Sequence, residues 1–275
     1  MQCFVVDSFT AEAFRGNPAG ICLTDRFPPD AFMLAVAAEL NLSETAFVCP
    51  QPERGAFVIR YFSPKMEIPL CGHATLAAAR VLHAETAAEQ ISFTTGHGVH
   101  LPVRVSPEWV EMEFPVYTTT PSSAPPALLE ALGLRSIVNA VYNDETRILL
   151  LEIESWRELA GLSPDFAALL RSHKTINGVL VTAPADDGFD FHSRYFWPWS
   201  GSNEDPVTGG THTFLAPYWS VRLGKRNMRS FQSSVRSGSM DLELSDHGLL
   251  IRSQALITVR GELLINPSRQ AADLV

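Results

Sequence analysis

Three side chains in this 275-residue sequence combine a titratable group with surroundings that suit proton transfer: Glu44, His73 and Asp205. Glu44 lies in Asn41-Leu42-Ser43-Glu44-Thr45, after a helical pattern and before the strand-like run Ala46-Phe47-Val48. Apolar flanks favour partial burial, and burial moves carboxyl groups toward the range useful for proton transfer. The same window also fits a surface glutamate at the start of a strand. His73 follows Cys71-Gly72 and opens a second helical pattern. A helix N-terminus disfavours imidazolium, so a neutral imidazole able to donate or accept a hydrogen bond is expected there; an N-terminal cap or core histidine is the alternative. Asp205 precedes Pro206 and a third helical pattern, as an acid/base candidate or a plain helix-start carboxylate.

The turns beside these residues carry glycine: Gly72 in Cys71-Gly72-His73-Ala74-Thr75, and Gly209-Gly210 in Thr208-Gly209-Gly210-Thr211-His212. The first N–H groups of a helix lack intrahelical partners and carry partial positive charge, and glycine lets a ligand approach them. Two such helix starts can hold an anion without Lys or Arg, which suits a carboxylate substrate. Tight strand-to-helix turns with no ligand would use the same glycines.

Both turns follow one repeated stretch. Arg60-Tyr61-Phe62-Ser63-Pro64 recurs about half a chain length later as Arg194-Tyr195-Phe196-Trp197-Pro198, with an acidic loop, a glycine turn and a helical pattern behind each copy. This implies duplication: two similar, pseudo-symmetric lobes, each presenting a strand–turn–helix unit. Strand-like runs elsewhere include Phe4–Phe9, Ile21–Leu23, Ala46–Cys49, Ala56–Phe62, Val99–Val105, Trp109–Phe114, Arg147–Ile153 and Val179–Ala183. Helical patterns cover Asp30–Leu40 with Asp30 as cap, Pro126–Leu132 stopped by Gly133, and Pro164–His173 behind a Ser163 cap. The fold class is α+β with mostly antiparallel sheet. Proline-rich 115–126 reads as a linker between an N-terminal lobe, 1–114, and a C-terminal lobe, 127–275. The last ten residues read as a polar tail; the alternative is that the final segment, with the last strand, packs back on the first lobe.

Composition narrows the function classes. The formal net charge of −9 opposes nucleic-acid binding, which rests on phosphate neutralisation; the densest basic stretch holds only Arg222, Lys225, Arg226 and Arg229. No dinucleotide or phosphate-loop motif is present, because Gly96-His97-Gly98 lacks a third glycine and Gly209-Gly210 is not followed by Lys-Ser/Thr. His97 and His100 share no ligand spacing with a Cys or carboxylate, so no metal site is expected. Cys3, Cys22, Cys49 and Cys71 form no C-x-x-C pair, and neither a leader nor a membrane helix is visible. The expectation is a soluble cytoplasmic protein. Trp197 and Trp199 suit either a pocket wall or loop packing.

Taken in order, four segments resemble signatures of the phenazine-biosynthesis-type (PhzF-like) isomerases, a branch of the diaminopimelate-epimerase fold. They are Val6-Asp7-Ser8-Phe9-Thr10 with Gly16-Asn17-Pro18-Ala19; Leu42-Ser43-Glu44-Thr45-Ala46-Phe47; Cys71-Gly72-His73-Ala74-Thr75; and Glu204-Asp205-Pro206-Val207-Thr208-Gly209. The resemblance implies two α+β lobes, each a sheet curled around a central helix, with the active site in the cleft between them. The family's acid/base glutamate maps to Glu44, its histidine to His73 and its aspartate to Asp205. Ser43, Gly72, Gly209, Gly210 and Thr211 map to substrate-binding positions. A small carboxylate substrate, no metal or organic cofactor, and a homodimer are implied. Where the family commonly has a serine, this chain has Gly210; the Gly210 N–H or the Thr211 hydroxyl is the expected substitute. Related racemases of this fold use two thiols. Cys71 occupies one position, but no cysteine follows residue 71, so a two-thiol racemase is excluded and Cys71 reads as a small turn residue. The leading expectation is a proton-shift isomerase. A one-glutamate epimerase and a non-catalytic binding protein that keeps the cleft are the alternatives.

Overall fold

The computed structural model describes residues 1–53 and 55–265. It divides into two units: Met1–Glu113 with the described residues from Arg252 onward, and Phe114–Ile251. The first unit holds β1 (Gln2–Ser8), β2 (Asn17–Leu23), α1 (Asp30–Leu40), β3 (Glu44–Pro50), β4 (Ala56–Phe62), β5 (Glu67–Ile68), α2 (Gly72–Thr86), β6 (Gln90–Thr95), β7 (His100–Val105) and β8 (Val110–Phe114). The second holds β9 (Thr120–Pro121), α3 (Pro126–Leu132), β10 (Asn139–Asn143), β11 (Ile148–Glu152), α4 (Trp156–Gly161), α5 (Phe166–Ser172), β12 (Gly178–Pro184), β13 (Phe191–Trp197), β14 (Ser202–Asp205), α6 (His212–Leu223), β15 (Asn227–Gln232) and β16 (Gly238–Leu244). After β17 (Leu249–Ser253), β18 (Ala255–Glu262) joins the first unit.

The two units repeat one order of pairings. In the first, β1 and β2 are antiparallel, β2 and β3 parallel across α1, β3 and β4 antiparallel, β4 and β5 antiparallel, β4 and β6 parallel across α2, and β6 and β7 antiparallel. In the second, the same sequence of relations runs from β10 and β11 through β12, β13, β14 and β15 to β16, with α4 and α5 in the place of α1 and α6 in the place of α2. The Arg-Tyr-Phe copies occupy equivalent strands, β4 and β13. The fold is a mixed α+β arrangement in which mostly antiparallel strands surround a central helix. In α2 every residue from Ala74 to Leu82 is buried, as a helix enclosed on all sides requires. Its alanines let β1, β2, β3, β7 and β18 pack against it. Phe32, Met33, Val36 and Ala37 of α1 pack with Cys22, Phe47 and Phe62 on the sheet. No helix among the described residues is long and apolar enough to cross a membrane.

Several boundaries differ from the sequence expectation. Residues 115–126 belong to the second unit. Tyr117 N–H donates to Thr213 O at 2.9 Å, Asn143 Nδ2 donates to Thr118 O at 2.8 Å, and β9 pairs with β10. Proline keeps this stretch extended, and extended backbone can still pair at a sheet edge. The second unit ends at Ile251 rather than at residue 275. Without β18, β1 would carry an open edge; instead β18 pairs with it from Gln2↔Glu262 to Ser8↔Ala255. The tail from Asn266 lies outside the described residues. The cap of α5 is Asp165, whose carboxylate accepts from Ala168 N–H, not Ser163; Asp30 is the first residue of α1 and makes no side-chain cap bond. Sequence reading passed over α4, although Ser155 caps it by accepting from Glu158 N–H. Trp199 is a packing residue, donating to His173 O at 2.8 Å.

Each Arg-Tyr-Phe copy closes onto the acidic residue behind it. Arg60 Nε and Nη2 grip Glu67 at 2.8 and 2.6 Å, and Arg194 Nε and Nη2 grip Glu204 at 2.7 and 2.8 Å. The surroundings differ. Arg60 also reaches the exposed Asp30, whereas the buried Arg194 donates to Leu162 O at 2.7 Å beyond the end of α4. Truncating Arg194 leaves Glu204 and a helix-terminal carbonyl unpaired in the interior. Arg194→Ala is expected to cost about 3–5 kcal/mol, the range for removing one partner of a buried pair. Arg60→Ala, in a more solvated setting, is expected to cost less. Urea unfolding of both variants checks the order, and a larger loss for Arg60→Ala refutes it.

The start of α6 depends on His212, which is wholly buried. Its ring pairs Nδ1 with Thr208 O at 3.0 Å and Nε2 with Ser230 Oγ at 2.9 Å, the pattern of a neutral imidazole donating from Nδ1 and accepting at Nε2. Burial pushes its pKa down to about 4, against the opposing pull of the Thr208 and Gly209 backbone. The unfolded chain holds a proton there below about pH 6.5, while the folded chain resists it until about pH 4. This group therefore contributes full stability above pH 6.5, and about 3 kcal/mol of it is lost as the pH falls to 4. Unfolding measured across that interval should show a flatter pH dependence for His212→Asn than for wild type. Equal slopes would mean that His212 does not titrate in this window.

Candidate active site

In the first unit, α1 ends at Leu40 and Asn41 closes it in the left-handed region at φ 50°. The chain reverses into β3, which runs parallel to β2 with Ala19 opposite Glu44. Ser43 and Glu44 are thereby placed beside His73, in the first turn of α2. His73 Nε2 lies 3.3 Å from Glu44 Oε2 and 3.4 Å from Ser43 Oγ. His73 Nδ1 lies 3.3 Å from Cys71 Sγ. Only about 10% of the His73 side chain and 14% of that of Glu44 are exposed. Burial lowers the His73 pKa, with the Glu44 charge pulling the other way, so the ring is neutral at neutral pH. A neutral ring carries one N–H; its Nε2 faces Glu44 Oε2 and Ser43 Oγ, and its Nδ1 faces Cys71 Sγ. Along β3, Ala46 shares the face of Glu44. Phe47, expected to shield Glu44 from water, points to the opposite face and packs with α1.

The first turn of α2 is held from three sides. Ser8 Oγ donates to His73 O at 2.8 Å, Thr75 Oγ1 donates to Cys71 O at 2.7 Å, and Tyr61 OH lies 2.5 Å from Thr75 Oγ1. Tyr61 is the centre of the first Arg-Tyr-Phe copy, so the repeat fixes the helix start that carries His73. Sequence reasoning marked the repeat but not this task. It also missed the contact between Cys71 and His73. Spacing could have suggested it, since a cap residue and the second helical residue lie on one turn.

In the second unit Asp205 ends β14 and is buried. Its side chain accepts from Thr208 Oγ1, and its carbonyl accepts from Gln232 Nε2 at 2.7 Å. Gln232 Oε1 in turn accepts from Thr208 N–H at 2.9 Å. Gln232 thus locks the turn between strand and helix, a role that a lone glutamine in a strand does not announce. Opposite Asp205, Tyr195 has its pKa raised by burial first and by the Asp205 charge second. The helix begins at His212, three residues beyond the expected start at Gly209. His212 N–H donates to Gly209 O at 3.1 Å, a tight first turn, and the N–H groups of Gly209, Gly210 and Thr211 precede the helical ladder. Thr211, expected to offer a hydroxyl to substrate, is buried and donates that hydroxyl to Thr208 O at 3.0 Å. That bond holds the turn. Gly210 is exposed, and a Cβ there would meet nothing within 4 Å, so the missing serine reflects no lack of space. Gly72 precedes His73 at the start of α2.

Known proteins resemble this chain in sequence and fold. The family model described as "Phenazine biosynthesis-like protein" matches residues 6–262. An uncharacterized isomerase of Pseudomonas aeruginosa is 40% identical, over 96% of this chain and 98% of its own length. The crystal structure of a PhzF-family phenazine biosynthesis protein of Enterococcus faecalis superposes with a TM-score of 0.89 at 36% identity, covering 96% of this chain and 99% of that one. A hydroxyproline epimerase of Agrobacterium vitis shares the fold, with a TM-score of 0.58 at 10% identity over 95% and 91% of the two chains. The chain is an enzyme of the isomerase or epimerase type and belongs to the phenazine biosynthesis-like family.

Proposed function

We propose that the protein is a cofactor-independent isomerase that moves a proton within a small carboxylate substrate, with Glu44 as the acid/base group. The observation that carries this reading is the neutral His73 set between Glu44 and Cys71. Glu44 takes a proton from a carbon activated by a neighbouring carbonyl or unsaturated group, leaving the electron pair delocalised in the substrate. The protonated Glu44 then returns the same proton to another atom of that molecule, so no external acid or oxidant is consumed. His73, with Nε2 3.3 Å from Glu44 Oε2, holds the carboxylate in place before the transfer. Backbone N–H groups at the two helix starts, around Gly72 and Gly209–Gly210, bind the substrate carboxylate, Ser43 contributes its hydroxyl, and Asp205 takes part by holding a polar group of the substrate. The family resemblance supports the assignment of Asp205, and a homodimer is the assembly we propose with it.

Incubation with a panel of carboxylate metabolites in D₂O, read by mass spectrometry and product analysis, tests the reaction class. Deuterium at carbon, or a rearranged product without it, supports a proton shift. Binding of a panel member with neither outcome would instead make the protein a binding module. Once a substrate is found, Glu44→Gln is expected to lower turnover by roughly 10²–10⁴, the usual contribution of general acid–base catalysis. Calorimetric affinity should stay near that of wild type, and loss of both together would make Glu44 a positioning residue. Cys71→Ser preserves a donor toward His73 Nδ1, so turnover should stay within about tenfold of wild type. A fall of 10³ or more, about 4 kcal/mol of barrier, would show that the thiol itself reacts.

A further inference from the structure

The geometry points to a second property of the Glu44 pocket: Glu44, Cys71 and His73 form a three-donor site for a thiophilic divalent cation such as Zn²⁺, whose binding shuts off proton transfer. One donor atom from each residue lies within 4.8 Å of the others. Around His73 Nε2, Glu44 Oε2 stands at 3.3 Å and Cys71 Sγ at 3.9 Å. Zinc bonds of about 2.3 Å to sulfur and about 2.0–2.2 Å to nitrogen and oxygen put ligand atoms roughly 3.3–3.6 Å apart in a tetrahedron; the sulfur stands nearer Nδ1, at 3.3 Å, so closure onto an ion at Nε2 takes a rotation of the Cys71 side chain or the His73 ring. Ser43 Oγ, 3.4 Å from the same nitrogen, or a water supplies the fourth position. The sequence expectation of no metal weighed only His97 and His100. The Glu44 set escaped it because its members come from β3 and from the turn into α2.

Charge and softness favour this occupant. A thiolate and a carboxylate neutralise a divalent ion completely, so the loaded site buries no net charge, and the helix-start field that opposes a bare cation meets a neutral complex. The thiolate selects zinc or a similar soft ion over magnesium or calcium, which prefer oxygen. A cation held there takes the lone pairs that Glu44 needs as a base. The inhibition rests on the isomerase reading above; the binding does not.

The test titrates the full-length, metal-stripped protein with Zn²⁺ against a chromophoric chelator, and with Co²⁺ to look for a thiolate-to-cobalt charge-transfer band. One ion per chain is expected, with affinity falling at least about 100-fold in both Cys71→Ser and Glu44→Gln, and with the cobalt band lost in Cys71→Ser. Cys3 and Cys22, whose sulfurs lie 3.3 Å apart, are the competing thiols, and the Cys3→Ser/Cys22→Ser variant should bind as wild type does. Circular dichroism of each variant separates loss of a ligand from loss of the fold. Absence of stoichiometric binding, binding that persists in either site variant, or binding lost with Cys3 and Cys22 overturns the site. Reversible inhibition of turnover by Zn²⁺, read as deuterium exchange or as rearranged product, is the second readout. If wild type binds the ion as expected and turnover is seen but does not respond, the regulatory claim falls while the site stands. If neither exchange nor a rearranged product is seen on any substrate, the isomerase reading fails and the metal titration is unaffected.

Discussion

An α-helix leaves its first N–H groups without intrahelical partners, and each unit of this protein is organised around one such helix end. The end has to be brought close to a strand, kept free of capping side chains and still held rigidly. In α2 and α6 no side chain caps the start. Rigidity comes from neighbours that bind the carbonyls and side chains around the turn: Ser8, Thr75 and Tyr61 in the first unit, Gln232, Thr208 and His212 in the second. The arginine–carboxylate grips fix the strand and loop that lead into each turn. Burial then sets the chemistry, because it keeps His73 and His212 neutral where exposed histidines would begin to gain protons.

Much of this was legible in the sequence. The two Arg-Tyr-Phe copies announced the duplication, and Arg194 repeats the grip of Arg60 because the acidic partner recurs with the strand. The strand Ala56–Phe62 was read to the residue, since its β-branched and aromatic run is bounded by turn residues on both sides. Other features depend on tertiary partners. That the last strand packs back on the first lobe was one reading of the sequence, but its register beside β1 was not, because what fixes it is the open edge of β1 more than two hundred residues earlier. The turn at Gly209 looked like a helix start; the helix waits until His212, whose ring must first bond Thr208. Phe47 counted among the apolar flanks of Glu44 by nearness in sequence, where the period of two in a strand places it on the other side.

The basic stretch near the end of α6 shows how charge reads differently in three dimensions. Arg222 pairs with Glu152, Lys225 with Asp190 at 2.5 Å, Arg226 with Asp246 at 2.7 Å and Arg229 with Asp241 at 3.3 Å. Each cation has its own carboxylate, so the stretch presents paired charges and not the unneutralised band that a phosphate backbone would need.

The pairing of β1 with β18 has a consequence for biosynthesis. The second unit is one continuous stretch, and its contacts become available as soon as residue 251 leaves the ribosome. The first unit is split, and its opening strand emerges with one edge exposed and keeps it until the last strand is made. Topologies that join distant segments fold late, because loop closure must precede the contacts that reward it. The order of maturation therefore reverses the order of synthesis: the later-made unit folds first, and the one bearing Glu44 and His73 is completed last. Through that interval the nascent β1 edge is the segment exposed to mispairing and to chaperones.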